Sequence, residues 1–136
     1  MIAAGAKPQK LNIPREQYLT TSEQFLELDS LPRRILFVGG GYVSFEFAHV
    51  SVRSGADVAI LHRAERPLER LDADLVEQLV QKTRQLGVDV QLGNKVEAIE
   101  RRMTIFKGAL PVKVANANFR RIWLCMALVA LPILMN

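Results

Sequence analysis

Arg34-Ile-Leu-Phe-Val-Gly-Gly-Gly-Tyr-Val-Ser-Phe-Glu46 is the stretch on which the fold turns. Ile35 to Val38 are consecutive apolar residues, as a strand buried on both faces of a parallel sheet would be. They run into Gly39-x-Gly41-x-x-Ser44, and a helix-compatible segment follows. Buried strand, tight turn and helix N-terminus together make a place for a pyrophosphate. Gly39 lets the chain turn sharply, Gly41 lets a phosphate approach the backbone, and small Ser44 lets helix and strand pack closely. The first N–H groups of a helix lack intrahelical partners, and the helix dipole adds positive potential at the same place. The alternative is a glycine turn in an α/β domain that binds nothing.

Outward from this stretch, the pattern is β-α-β-α-β with short connections, which predicts a parallel sheet with right-handed crossovers. A helix is expected over Tyr42 to Ser54, with Val43, Phe47 and Val50 on one face and Gly55 as its terminating glycine. Val58 to Leu61 is the second strand. Asp72 is expected to cap a helix from Ala73 to Leu86 whose apolar stripe is Leu75, Leu79 and Leu86. After Gly87, Val88 to Leu92 forms a third strand, and Val96 to Glu100 alternates like a half-buried one. Upstream, residues 1–18 read as a short strand and a linker with Pro8 and Pro14. Thr20-Thr21-Ser22 supplies N-cap candidates for a brief helix, Glu23 to Leu28.

At 136 residues the chain has room for one core. Its net charge of +4 is unevenly placed: residues 1–100 hold 12 Lys/Arg against 14 Asp/Glu, and residues 101–136 hold six Lys/Arg and no acid. The basic pI therefore belongs to the last segment, and the body gives no reason to invoke nucleic acid. A single cysteine, Cys125, excludes an intramolecular disulfide and a cysteine-based metal site, and His49 and His62 do not have metal-ligand spacing. Met1 to Ala6 is too short for a signal-peptide core, so the body is expected to be cytoplasmic. Ile122 to Met135 is an uncharged apolar run after Arg120-Arg121, and three readings stay open for it. They are an aberrant C-terminus, a membrane-associating segment over residues 120–135, and a buried core helix; the run is short of the about 20 residues a spanning helix needs.

Several stretches resemble the FAD-dependent pyridine nucleotide–disulfide oxidoreductases, most closely their glutathione-reductase and mercuric-reductase side. Ile2-Ala3-Ala4-Gly5-Ala6-Lys7-Pro8 resembles the family's Ala-Thr-Gly stretch between the flavin and nicotinamide domains, with Ala4 in place of Thr. Asn12-Ile13-Pro14 is similar to its Ile-Pro-Gly, with Arg15 where glycine is common. Thr20-Thr21-Ser22 and Leu31-Pro32-Arg33-Arg34 fit the approach to its nucleotide strand, and Gly39-Gly40-Gly41-Tyr42-Val43-Ser44-Phe45-Glu46 is close to its Gly-x-Gly-Tyr-x-x-x-Glu signature. The resemblance covers residues 2–100. It implies an incomplete Rossmann-like α/β sheet over residues 33–100, a remnant of a flavin-domain strand plus linker and short helix over 1–32, and an atypical basic, then hydrophobic, tail over 101–136.

The resemblance also implies roles. Gly39, Gly41 and Ser44 would form the pyrophosphate turn, and Tyr42 would cover the nicotinamide pocket. Glu46 matches a glutamate that pairs with a lysine in a flavin half outside these residues. On its own it reads as a first-turn carboxylate favoured by the helix dipole. NAD sites place an acid after the second strand for the ribose 2′-OH, and NADP sites place arginine there for the 2′-phosphate. Here Leu61 is followed by His62-Arg63-Ala64-Glu65-Arg66, with no acid at the strand end. Arg63 sits where the family's first phosphate-binding arginine falls; Glu69 fills the second such position, with Arg66 and Arg70 nearby. NADP(H) is therefore expected over NAD(H), with Gly39, Gly41, Tyr42, Ser44, Glu46, His62 and Arg63 as cofactor-binding residues. FAD belongs only to the complete family enzyme. The 136 residues contain neither a flavin-binding Gly-x-Gly-x-x-Gly before the nucleotide strand nor a Cys-x4-Cys pair, so no catalytic residue is assigned. The leading expectation is a nucleotide-binding piece of such an enzyme, from a truncated or frame-shifted coding region, with a flavin-domain chain as a partner. A free-standing NAD(P)-binding module and a membrane-attached interaction protein are the alternatives.

Overall fold

The computed structural model describes residues 6–8, 10–97, 99–101, 112–114, 124–127 and 130–132. Its strands are β1 (Ala6–Pro8), β2 (Arg34–Val38), β3 (Asp57–Leu61), β4 (Asp89–Gln91), β5 (Ile99–Arg101), β6 (Val112–Val114), β7 (Leu124–Ala127) and β8 (Ala130–Pro132). Its helices are α1 (Ser22–Leu26), α2 (Tyr42–Arg53) and α3 (Ala73–Gln85). Within a residue or two, β2 to β4 and the three helices fall where the sequence puts them, and β1 lies within the segment expected to hold a short strand.

The main sheet has the spatial order β4-β3-β2-β7, and every adjacent pair is parallel. Numbered by first appearance within this sheet, the order is 3-2-1-4, the Rossmann-like α/β arrangement. Alternate residues of β2 and β3 feed two cores. Ile35, Phe37, Val58 and Ile60 meet Phe45 and Ala48 of α2, Val76 and Val80 of α3, and Phe25 of α1. Leu36, Val38, Ala59 and Leu61 meet Val96 on the opposite face, with Leu11, Ile13 and Leu19 of the N-terminal segment packed against them. Covering both faces is what allows β2 and β3 to be unbroken apolar runs. Phe25 anchors α1 by stacking on Phe47 at 4.7 Å and meeting Phe37 edge-on at 6.0 Å. Thr21 and Gln24 close a capping box at its start, while Asp72 accepts the N–H groups of Asp74 and Leu75 at the start of α3.

The helix faces differ from the sequence reading. On α2 the buried positions are Ser44, Phe45, Ala48 and Ser51; Val43 and Phe47 are partly buried beside them and Val50 is exposed. Three of these four buried positions are small residues, which lets the helix approach β2 closely around Phe45. On α3 the buried positions are Val76, Val80 and Thr83, with Leu79 partly buried and Leu75 65% exposed. Leu75-Leu79-Leu86 and Val76-Val80-Thr83 have related helical spacings, so periodicity alone could not choose between them. His49 Nε2 lies 2.8 Å from Thr83 Oγ1, whose own proton goes to Leu79 O. Thr83 therefore accepts from the imidazole, and His49 ties α2 to α3.

Two further differences lie beyond β4. The strand expected over Val96 to Glu100 begins only at Ile99 and pairs antiparallel with β6 in a separate two-stranded sheet. Two short strands of the last segment pair with the body: β7 pairs with β2 from Ile35↔Leu124 to Val38↔Ala127, and β8 pairs antiparallel with β1. The helix readings of the apolar run therefore fail at 124–127 and 130–132. A fully buried parallel strand and a short apolar helix both read as continuous hydrophobic residues. Arg120, Arg121 and the rest of that run lie outside the described residues, as do Ile2 to Gly5. Among the described residues no helix is long and apolar enough to cross a membrane.

Candidate functional site

In the 3-2-1-4 sheet the strand order reverses between β2 and β7, and such a reversal opens a crevice at the carboxyl ends of the strands. Gly39-Gly40-Gly41 leaves β2 at that point. Gly39 has φ 111°, a left-handed conformation natural to glycine, and its N–H donates to Leu61 O at 2.8 Å. Gly41 is the N-cap of α2 at φ −84° and ψ 168°, an extended conformation open to any residue. Its glycine is thus not required by the backbone. Among the described residues no side chain caps α2, and its first turn carries no acidic residue, so neither a cap nor a first-turn carboxylate offsets the positive pole of this 12-residue helix.

Gly40 is held on both sides by one segment. Its N–H donates to His62 Nδ1 at 3.0 Å, and its carbonyl accepts the N–H of Leu68 at 3.1 Å. A Cβ on Gly40 would stand 2.7 Å from Pro67 Cβ and 2.8 Å from His62 Cγ. Segment 62–71 is itself fastened to the end of β4: His62 N–H donates to Gln91 O, Gly93 N–H to Ala64 O and Asn94 N–H to His62 O. Pro67 is buried, Leu68 takes φ 50°, and the Arg66 guanidinium donates to Glu69 O at 2.7 Å. Arg63 and Arg70 are exposed on this segment. Burial pushes the His62 pKa below the usual imidazole value, and the neighbouring Arg63 charge acts in the same direction. A bond from its ring to Arg66 O and the Glu69 carboxylate oppose that shift without reversing it.

Gly39, Gly41 and Tyr42 stand together at the start of α2, with Tyr42 58% exposed at the mouth of the crevice. Ser44 is fully buried and its Oγ has no hydrogen-bond partner among the described residues, which fits a small residue where α2 packs closely on the sheet. Glu46 is exposed one turn beyond Tyr42 on the same helix face. The first turn of α2 holds no acid, so the dipole rationale for Glu46 does not hold. Arg63 is exposed just past β3, while His62 beside it turns its ring onto Gly40. The sequence reading missed Gly40, Pro67 and Leu68. Three successive glycines where the fingerprint needs two were the available signal. Among the described residues no cluster of His, Cys, Asp and Glu could hold a metal ion.

Residues 1–130 match the family described as pyridine nucleotide-disulphide oxidoreductase. The chain is 33% identical over 127 residues to a glutathione reductase of Burkholderia cepacia, which covers 93% of this chain and 27% of the relative. It is 31% identical over 103 residues to a mercuric reductase of Bacillus cereus, covering 74% of this chain and 16% of the relative. Among solved structures, the copper(II) complex of the HOCl-induced flavoprotein disulfide reductase RclA from Escherichia coli superposes with a TM-score of 0.78 at 27% identity. That superposition covers 95% of this chain and 30% of RclA. The chain thus spans less than a third of the length of each of these proteins.

Proposed function

Because the chain belongs to the pyridine nucleotide–disulphide oxidoreductase family, we propose that it is the NAD(P)H-binding portion of an FAD-dependent disulfide-type oxidoreductase. The observation that carries this reading is the entry to α2. Gly41 is a glycine its backbone does not require, and among the described residues the helix it starts has neither a side-chain cap nor a first-turn acid, beside the strand-order reversal. The pyrophosphate would lie against Gly39, Gly41 and the first-turn N–H groups, with Tyr42 and Glu46 on the nicotinamide side and Arg63 on the adenosine side. Ser44 contributes by letting α2 approach β2. Arg63 after β3, with no acid at the strand end, favours NADP(H) over NAD(H) through pairing with a 2′-phosphate. FAD and the redox centre would come from outside these residues, in a flavin-domain segment or chain. The piece alone would not turn over, and a cytoplasmic location is part of the proposal.

When bound, the nicotinamide supplies hydride chemistry; the residues present here bind and orient it. A second reading, a free-standing NAD(P)-binding module, is favoured by one observation: both faces of the sheet are covered within this chain. Calorimetric titration with NADPH and, separately, NADH tests both. The expected result is binding with NADPH the tighter ligand, lost in a folded Gly41→Trp variant. A folded chain that binds neither nucleotide would end the nucleotide-binding reading. Reconstituted NADPH-dependent reduction of FAD on adding a flavin-domain chain selects the first reading over the module.

A further inference from the structure

His62 follows β3 directly, at the position where an NAD site would carry an acid, yet its ring is turned onto the glycine loop. A peptide N–H can only donate, so the bond from Gly40 requires His62 Nδ1 to be unprotonated. The ring proton then sits on Nε2, 3.2 Å from Arg66 O, which can only accept. One neutral tautomer satisfies both contacts, and each neighbour dictates the same one. The second Gly40 tie, from Leu68 N–H, comes from the same segment. Of the two ties on Gly40, the one to its N–H therefore depends on the protonation state of a single side chain.

We infer that His62 is a positioning residue for the pyrophosphate loop: as the neutral Nε2–H imidazole it holds the Gly40 N–H, and its protonation releases that tie and loosens the loop. A proton added at Nδ1 turns the acceptor into a donor facing another donor, so the bond to Gly40 breaks. Among the described residues the charged groups that act on the ring are Arg63, which disfavours charge on it, and Glu69, which favours charge. Gly40, which bonds to its ring, and Gln91 and Asn94, which bond to its backbone, carry no charged side chain. The consequence for ligand affinity rests on the dinucleotide reading; the consequence for the loop does not.

Imidazole and amide 15N NMR on the wild-type chain tests the loop directly. At pH 7.5 the His62 Nδ1 should show the shift of an unprotonated nitrogen and Nε2 that of a protonated one. On acidification the Gly40 amide should move with the same midpoint as the ring. Titration of the acid-stable NADP+ over the same range should show affinity falling as the ring protonates, by less than about ten-fold between pH 7.5 and 5.5, as the competent fraction falls. His62→Asn places an amide oxygen near the Nδ1 position without titrating, so it should bind with a flatter profile. Comparison of the two chains cancels the titration of the ligand's own 2′-phosphate. A protonated Nδ1 at pH 7.5, a Gly40 amide indifferent to the ring, or identical pH profiles of wild type and His62→Asn would each overturn the inference. A Gly40 amide that follows the ring in a chain that binds no nucleotide would support the brace and remove the dinucleotide reading instead.

Discussion

Gly40 has no room for a side chain. The nearest atoms to an added Cβ are Pro67 Cβ and His62 Cγ, both close to their own backbones and unable to swing away. Gly40→Ala should therefore lower unfolding stability by about 1–3 kcal/mol in urea denaturation, as overpacking does. Ser44 predicts the opposite sign. Its buried hydroxyl has no partner, so Ser44→Ala should leave stability unchanged or raise it by about 1 kcal/mol in the same assay. Stability should also depend on pH through two histidines. Burial holds both His49 and His62 below the usual imidazole pKa, so the unfolded chain binds these protons more readily. Their contribution is fully present above about pH 6.5 and is lost as pH falls through the folded-state values. The midpoint of urea unfolding should fall on acidification through that window, and by less in His62→Asn, which keeps only the His49 part. At this scale Gly39 and Gly41 were legible because a local fingerprint specifies them. The roles of Gly40 and His62 were not, because the ring and the amide it accepts from are 22 residues apart in the chain.

Helix ends were easier to read than helix faces. Asp72 could be identified, and Thr21 narrowed to one of three candidates, because a cap is a contact within three residues of chain; both are engaged. The buried stripe of α3 depends on where the sheet lies, and two candidate stripes with related spacing sit side by side on this helix. The structure selects Val76 and Val80, which lie against β3 and β4 residues such as Ile60 and Val90. Two substitutions on adjacent faces check that choice. Val80→Ala should cost about 2 kcal/mol by denaturant unfolding, whereas Leu75→Ser should stay within about 0.5 kcal/mol of wild type. The reverse order would place the leucine stripe inward and contradict the packing of α3.

For the molecule as a whole, the outcome hinges on β7. From sequence the sheet had three parallel strands and an orphaned fourth, because the apolar run after residue 121 carries no period that separates strand from helix. Pairing to β2 is a long-range choice, and it does two things at once. It removes β2 from the edge of the sheet, and it creates the reversal of strand order beside which the glycine loop sits. Stability and ligand geometry should therefore be lost together when the last segment is removed. A chain of residues 1–101 would leave the outer side of β2 unpaired, and the strand partners of β1 and β5 would be gone. The amides that β7 engages within Ile35–Val38 should then exchange with solvent faster by orders of magnitude, and urea unfolding should shift to a lower midpoint with reduced cooperativity. Equal protection of those amides in the two chains would mean that β2 draws nothing from β7. The crevice at the end of β2 would then have to be formed by β2, β3 and segment 62–71 alone, and nucleotide affinity would be expected to survive the truncation.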